Sequence, residues 1–187
     1  IHGDDERILK GKIINEGGND FIFGLGGDDL IYGGEGDDII FGDTNLIDDG
    51  KDSFNSMSAE GYGNDMIFGG EGADTLIGGG RSDYIDGGSG KNIIYGDKND
   101  DMKDWASGKG YLPPQYHGDD FIRGGEDEDK IDGGGGHDTI HGGAGNDQIW
   151  GDFSGGGLLP QLTGNDTLYG EAGQDYLQGN HGNDELH

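Results

Sequence analysis

The chain has 187 residues, 45 of them glycine, with a hydrophobic fraction of 29% and a formal charge of −28 from 11 basic and 39 acidic residues. That acidity argues against nucleic acid or an anionic membrane surface as a partner and calls for cations. No apolar run approaches the ~20 residues of a transmembrane helix, and no signal peptide is expected. The absence of cysteine suits a secreted protein stapled by metal instead of disulfides.

Composition alone reads as disordered, but a fixed period argues for a solenoid. Residues 1–14 read as a degenerate leading coil: His2-Gly3-Asp4-Asp5 is turn-like, with Ile8, Leu9, Ile13 and Ile14 behind it at irregular spacing. From 15 to 187 the chain repeats the form G-G-x-G-x-D-x-U-x, where U is Ile or Leu, most cleanly as GGGGHDTIH from Gly133 and GGAGNDQIW from Gly142. Turns begin at 15, 24 and 33. A fourth opens at Gly42-Asp43, is interrupted by an insertion at 44–61 and closes through 63–68. Turns follow from 69, 78 and 87. The eighth opens at Gly96-Asp97, carries an insertion at 98–116 and closes through 118–123. After turns from 124, 133 and 142, the twelfth opens at Gly151-Asp152, carries an insertion at 153–162 and closes through 164–169; the last two begin at 170 and 179.

The unit has a physical logic. Glycine reaches positive φ without steric cost, so a Gly-Gly-x-Gly run bends tightly with its carbonyls turned to one side. The three residues after the Asp are too few for a helix and enough for a strand, in which U faces opposite to its neighbours. One nonapeptide is a turn plus a strand, and two make a flattened coil of 18 residues. The prediction is an all-β, right-handed parallel β-roll of about seven coils, roughly 34 Å long at ~4.8 Å per coil.

Position 6 holds Asp20, Asp29, Asp38, Asp65, Asp74, Asp83, Asp120, Asp129, Asp138, Asp147, Asp166, Asp175 and Asp184; only turn 7 differs, with Asn92. Position 8 is Ile or Leu in all fourteen turns. Solvated surface charge does not account for such a register. Stacking sets each Asp beside the one a coil away, where like charges ~5 Å apart repel by roughly 0.8 kcal/mol even at the dielectric of water. Two such ladders oppose folding unless cations lie between them. Calcium, a hard ion taking six to eight carboxylate and carbonyl oxygens, fits this donor set.

The repeat resembles the β-roll domain of RTX proteins, a family of secreted bacterial toxins, proteases, lipases and adhesins, over about residues 15–187. The resemblance implies a calcium between turns n and n+2, held by the carbonyls of positions 2 and 4 and the Asp of one turn and by the carbonyls of positions 1 and 3 and the Asp of the other. Between turns 3 and 5 that set is Gly34, Gly36, Asp38, Gly69, Glu71 and Asp74; between turns 9 and 11 it is Gly125, Asp127, Asp129, Gly142, Ala144 and Asp147. Carried along the chain, carbonyl ligands come from Gly33, Gly34, Glu35 and Gly36, from Gly69, Gly70, Glu71 and Gly72, and from Gly78, Gly79 and Gly80. They continue with Gly87, Gly88, Ser89 and Gly90, with Gly124, Gly125, Glu126 and Asp127, and with Gly133, Gly134, Gly135 and Gly136. The last come from Gly142, Gly143, Ala144 and Gly145, from Gly170 and Ala172, and from Gly179 and His181. The pattern allows about 8–12 calcium ions by resemblance. Asn92 weakens the two gaps it shares, with Asp74 and with Asp129. Arg81 and Asp127 replace glycine at position 4, turn 1 has Asn15 and Glu16 for its first two glycines, and the expanded turns lose carbonyl ligands or replace them with Asp43, Asp97 or Asp152.

The openings at 42, 96 and 151 lie 54 and 55 residues apart, all in even-numbered turns, so the three loops project from one edge. Each is preceded by an aromatic, Phe41, Tyr95 or Trp150, expected to face outward. The loops carry Leu46, Ile47, Phe54 and Met57, then Trp105, Tyr111, Leu112, Pro113 and Pro114, then Leu158, Leu159 and Pro160. Either they fold back over the aromatics, or Phe41, Tyr95, Trp105 and Trp150 form a recognition edge for an extended polysaccharide or surface ligand. Exposure of the aromatics discriminates the two.

No Ser/His/Asp order, HExxH or phosphate loop is present. His137 and His141 fall in a turn and the strand after it, so no enzyme is expected. The expectation is a monomeric, calcium-responsive scaffold with calcium ions as partners. By resemblance it is secreted through a type I channel and folds outside the cell. Its last turn has no polar cap of the kind solenoid ends need, so the rest of a longer parent chain is expected beside it.

Overall fold

The computed structural model describes residues 13–14, 17–43, 62–98, 114–152 and 164–187. Each nonapeptide places a short strand directly after its Asp. The first sheet contains β1 (Ile13–Ile14), β3 (Leu30–Glu35), β5 (Met66–Glu71), β7 (Tyr84–Ser89), β9 (Phe121–Glu126), β11 (Thr139–Gly145), β13 (Thr167–Gly173) and β15 (Glu185–Leu186), in that order. The second contains β2 (Phe21–Leu25), β4 (Ile39–Asp43), β6 (Thr75–Ile77), β8 (Ile93–Tyr95), β10 (Lys130–Gly134), β12 (Gln148–Asp152) and β14 (Tyr176–Gln178). Among the described residues the strand pairings are all parallel, and the chain alternates between the sheets strand by strand, which is a parallel β-roll.

Register follows position 8. Ile31 pairs with Ile67, Ile67 with Ile85, Ile85 with Ile122, Ile122 with Ile140 and Ile140 with Leu168. The insertions are absorbed without a slip, because a shift of one residue would turn every core side chain to solvent. From Ile31 to Leu168 the position-8 side chains are fully buried and form one continuous core between the sheets. Leu186, on the outer strand β15 with β13 as its neighbour, is 46% exposed. Position 7 points the other way, so Met66, Ile93 and Phe121 are exposed.

The turns supply the left-handed backbone the glycines allow. Gly34 and Gly70 at position 2 have φ of 112° and 116°, and Gly36 and Gly72 at position 4 have 119° and 134°. The same conformation is imposed on Arg81 (φ 73°) and Asp127 (φ 70°) at position 4, and on Leu25, Glu171 and Asn180 at position 2. A Cβ costs energy there, about 1–2 kcal/mol per residue. Methyl groups added at Gly70 or Gly72 would also strike the carbonyls of Gly34 and Gly36 on the neighbouring coil.

Candidate metal centre

Two columns of aspartate run along the edges, one through the odd-numbered turns and one through the even. Each is tied to the backbone on both sides. The Asp38 amide donates to Asp74 Oδ1 at 2.8 Å, while the Asp38 carbonyl accepts from the Thr75 amide at 2.7 Å. The same amide-to-Oδ1 bond recurs down the odd edge at Asp20–Asp38, Asp74–Asn92, Asn92–Asp129, Asp129–Asp147 and Asp147–Asp175. Down the even edge it recurs at Asp29–Asp65, Asp65–Asp83, Asp83–Asp120, Asp120–Asp138, Asp138–Asp166 and Asp166–Asp184. From Asp38 and Asp65 onward, one oxygen of each side chain in the columns is thereby spent on the fold.

The other oxygen is not. Oδ2 of Asp38, Asp65, Asp74, Asp83, Asp120, Asp138, Asp147 and Asp166 is buried and accepts no hydrogen bond. It points to position 1 of its own turn: a methyl on Gly33 would collide with Asp38 Oδ2 and with the Gly69 carbonyl of the next coil, and one on Gly69 with Asp74 Oδ2 and the Gly87 carbonyl. Carbonyls converge on the same gaps from both coils. Those at positions 2 and 4 of one turn, such as Gly34 and Gly36, face the next coil. Position 1 of that coil faces back, and its position-3 carbonyl, Glu71, accepts from the Gly36 amide at 2.7 Å. These are the oxygens the resemblance assigns to calcium. A row of buried, unsatisfied carboxylate oxygens beside inward-turned carbonyls fits a hard cation. Among the described residues no three acidic or imidazole side chains close on one point, so backbone oxygens have to supply much of any coordination sphere.

Burial drives the carboxyl pKa values up. Asp38 and Asp74 rise to about 6, Asp65, Asp129 and Asp166 to about 7, and Asp120 to about 8, in each case chiefly from lost hydration. Neighbouring carboxylates add to the rise, and the amide bonds described above partly oppose it. Asp83 and Asp138 rise well above the ordinary range for the same reasons, and Asp147 rises as well. Near neutral pH the folded chain therefore has to neutralise these carboxyls, by protons or by a cation in the gaps.

A model of the RTX calcium-binding nonapeptide repeat matches residues 15–45, 61–80, 68–102, 118–152 and 162–187. The chain belongs to this RTX repeat family. It is a calcium-binding RTX repeat domain, and such repeats are typical of type I secreted bacterial proteins. No curated protein matches the chain. No helix among the described residues is long and apolar enough to cross a membrane.

The insertions alter the RTX turn in one consistent way. Asp43, Asp97 and Asp152, at position 2 of the expanded turns, are 3%, 1% and 5% exposed. Asp43 accepts from the amides of Gly63 (3.1 Å) and Gly80 (3.3 Å), and Asp97 from those of Gly118 (3.3 Å) and Gly135 (3.2 Å). Asp152 accepts from the amides of Gly164 (3.0 Å) and His181 (2.8 Å). His117, whose side chain is buried, sets Nδ1 3.0 Å from Asp97 Oδ2; sequence reading missed it because it lies at the root of an insertion, outside the period.

The expected recognition edge changes on inspection. Phe41 is 1% exposed, so it is not an outward-facing ligand platform: the rings of Phe23 and Phe21 lie 5.4 and 5.8 Å away. Tyr95 is half-buried with Lys98 Nζ 3.5 Å above its ring, and Trp150 is half-buried with Tyr176 at 6.1 Å. Trp105 and the other apolar loop residues singled out from sequence, Pro114 excepted, lie outside the described residues. Position 114 begins a short 3₁₀ turn, Pro114–Tyr116.

A longer aromatic row, absent from the sequence reading, runs over the outer face of the first sheet: Tyr32, Phe68, Tyr84, Phe121, His141, Tyr169 and His187. The pairs Tyr32–Phe68, Tyr84–Phe121, His141–Tyr169 and Tyr169–His187 are stacked within 13° of parallel. Their faces are taken up by one another, which stabilises strand pairing and leaves mostly ring edges to solvent.

Proposed function

We propose that this domain is a non-catalytic, calcium-dependent folding scaffold of a larger secreted bacterial RTX protein, disordered at low calcium and folding after type I export. The observation that carries the reading is the double row of buried Oδ2 atoms that accept no hydrogen bond. Calcium between coils would draw on Oδ2 of the two stacked aspartates, on the position-2 and position-4 carbonyls of one turn and on the position-1 and position-3 carbonyls of the next. Its contribution is positive charge and oxygen coordination; the chain contributes the pre-shaped turns and the aliphatic core that folds around them. Because the site exists only once coils stack, binding free energy becomes folding free energy. Extracellular calcium modules bind at ~10⁻⁴–10⁻³ M, far above cytosolic calcium, which keeps the chain extended for export and folds it outside.

The test is calcium titration of the chelated chain, followed by far-UV circular dichroism, with magnesium as control. A cooperative, calcium-selective gain of β signal between sub-millimolar and millimolar calcium is expected. A chain already folded in chelator at neutral pH, or folded equally well by magnesium, would overturn the reading.

A further inference from the structure

The two kinds of gap along the even edge differ in charge. In uninterrupted turns the position-4 amide bonds a backbone carbonyl of the next coil: Gly36 bonds Glu71 and Gly72 bonds Ser89 on the odd edge, and Arg81 bonds Tyr116 on the even. In the expanded turns that amide (Gly63, Gly118 or Gly164) bonds a carboxylate instead. The same carboxylate reaches the position-3 amide of the next coil, so it lies in the gap itself.

At Asp43 a full charge is more than a loop clamp needs, since one oxygen accepts both amides; Asp97 also faces His117 Nδ1 at 3.0 Å, and Asp152 uses both of its oxygens. Yet Asp stands at all three roots, although the insertions differ in length, at 44–61, 98–116 and 153–162. Two accepted bonds leave lone pairs on each carboxylate. Beside each root is a position-6 oxygen that accepts no hydrogen bond. A methyl on Gly42 would strike Asp65 Oδ2, one on Gly96 would strike Asp120 Oδ2, and one on Gly151 would strike Asp166 Oδ2. Asp65, Asp120 and Asp166 are each at most 2% exposed. The three carboxylates of a gap do not meet at one point, so the added residue acts through its charge and position, not as a third vertex of an all-carboxylate cage.

We infer that Asp43, Asp97 and Asp152 make the gaps between turns 4 and 6, 8 and 10, and 12 and 14 the tightest calcium sites of the domain, and that calcium bound there fastens the root of each loop. The inference rests on the calcium-scaffold reading above. Ligand charge count is a main determinant of calcium affinity, and one added buried carboxylate raises it on the order of tenfold.

The experiment is calcium binding to the full chain by equilibrium dialysis and isothermal titration calorimetry, with single Asp43→Asn, Asp97→Asn and Asp152→Asn variants. Asn removes the charge and keeps one oxygen for both amides at positions 43 and 97, and for one of the two at position 152, where the Gly164 amide bonds Oδ1 and the His181 amide Oδ2. The expected result is three ions bound about tenfold more tightly than the rest, with each variant moving one of the three into the weaker class while its circular dichroism at saturating calcium matches the parent. A single affinity class in the unsubstituted chain overturns the inference, whether or not a variant folds. So do variants that fold and keep all three tight ions. Either outcome leaves the scaffold reading standing, whereas a chain that binds no calcium removes both.

Discussion

The two edges of the β-roll are built from the same nonapeptide and exclude solvent from its aspartates alike, but the even edge lies under more surrounding chain and its carboxyl pKa values rise further. On the odd edge Asp38 and Asp74 rise to pKa about 6 and Asp129 to about 7. On the even edge Asp65 and Asp166 rise to about 7 and Asp120 to about 8, with Asp83 and Asp138 pushed well above the ordinary range. The even edge also carries Asp43, raised to about 8, and Asp97, pushed well above the ordinary range, both chiefly by burial. Its surroundings supply the cover: the rings of Tyr62 and Tyr116, at the ends of the first two insertions, lie 4.9 Å apart, and a methyl at Gly80 would strike the Tyr62 ring and the Tyr116 carbonyl. The repeat therefore places the carboxylates, and the insertions determine how strongly each row calls for a cation.

The largest test of that contrast is pH in the absence of calcium. These carboxyls have folded-state values above the ~3.9 of an unfolded Asp. Protons then stabilise the fold. Their contribution is fully present below about pH 4 and is lost as pH rises through the folded values, near 6–7 on the odd edge and 7–8 on the even. In chelator the chain should hold β signal by circular dichroism at pH 5, above its sequence pI of about 4.1, and lose it by pH 8. In millimolar calcium the signal should stay flat over that range, and calcium binding at pH 7 should release protons, read as buffer-dependent heat. A chelated fold that strengthens as pH rises would contradict the burial of these rows.

A smaller effect, with opposite signs under two conditions, is expected from Asn92→Asp on the odd edge. Asn92 Oδ1 accepts the Asp74 amide at 3.0 Å, as an aspartate would, while its Nδ2 turns toward the Gly124 carbonyl at 3.5 Å. The neutral side chain thus occupies the place where other turns hold an unsatisfied oxygen. Restoring the charge should lower the calcium midpoint of folding, with affinity rising on the order of tenfold in the two gaps it touches. In chelator at neutral pH the same change should further destabilise the fold, because it adds a carboxylate between Asp74 and Asp129. A midpoint that does not move would mean that turn 7 lies outside the cation column.

The strands, the aliphatic core and both aspartate columns were legible in the sequence because each depends on a fixed position in a nine-residue period. The contrast between edges was not. The depth of Asp120 or Asp83 depends on segments outside the period, and nothing local distinguishes Asp120 from Asp38. The aromatic row was missed because it changes position, using Tyr32 and Phe68 at position 9, Tyr84 and Phe121 at position 7, then His141 and Tyr169 at position 9 again. The switch falls where Asp86 and Arg123, in register across β7 and β9, take the position-9 places as an opposite-charge pair. Phe41 was placed outward by alternation, yet it is 1% exposed, with the rings of Phe21 and Phe23 packed beside it.

The smallest effect separates backbone strain from charge. Asp127 on the odd edge and Arg81 on the even edge hold position 4 at φ 70° and 73°. Replacing either with glycine removes the Cβ penalty and adds chain entropy to the unfolded state, for a net gain of about 1 kcal/mol or less. At fixed calcium that raises Tm by about 2–4 °C for a domain of this size. Asp127→Gly should gain more than Arg81→Gly, because it also removes a negative charge beside Asp129, whereas Arg81→Gly removes one of the few positive charges. An Asp127→Ala variant keeps the Cβ in the left-handed region and removes only the charge, so the difference between the Gly and Ala variants measures the backbone part alone. Equal Tm values for the two would show that the turn bears no strain at this position and that charge alone distinguishes the edges there.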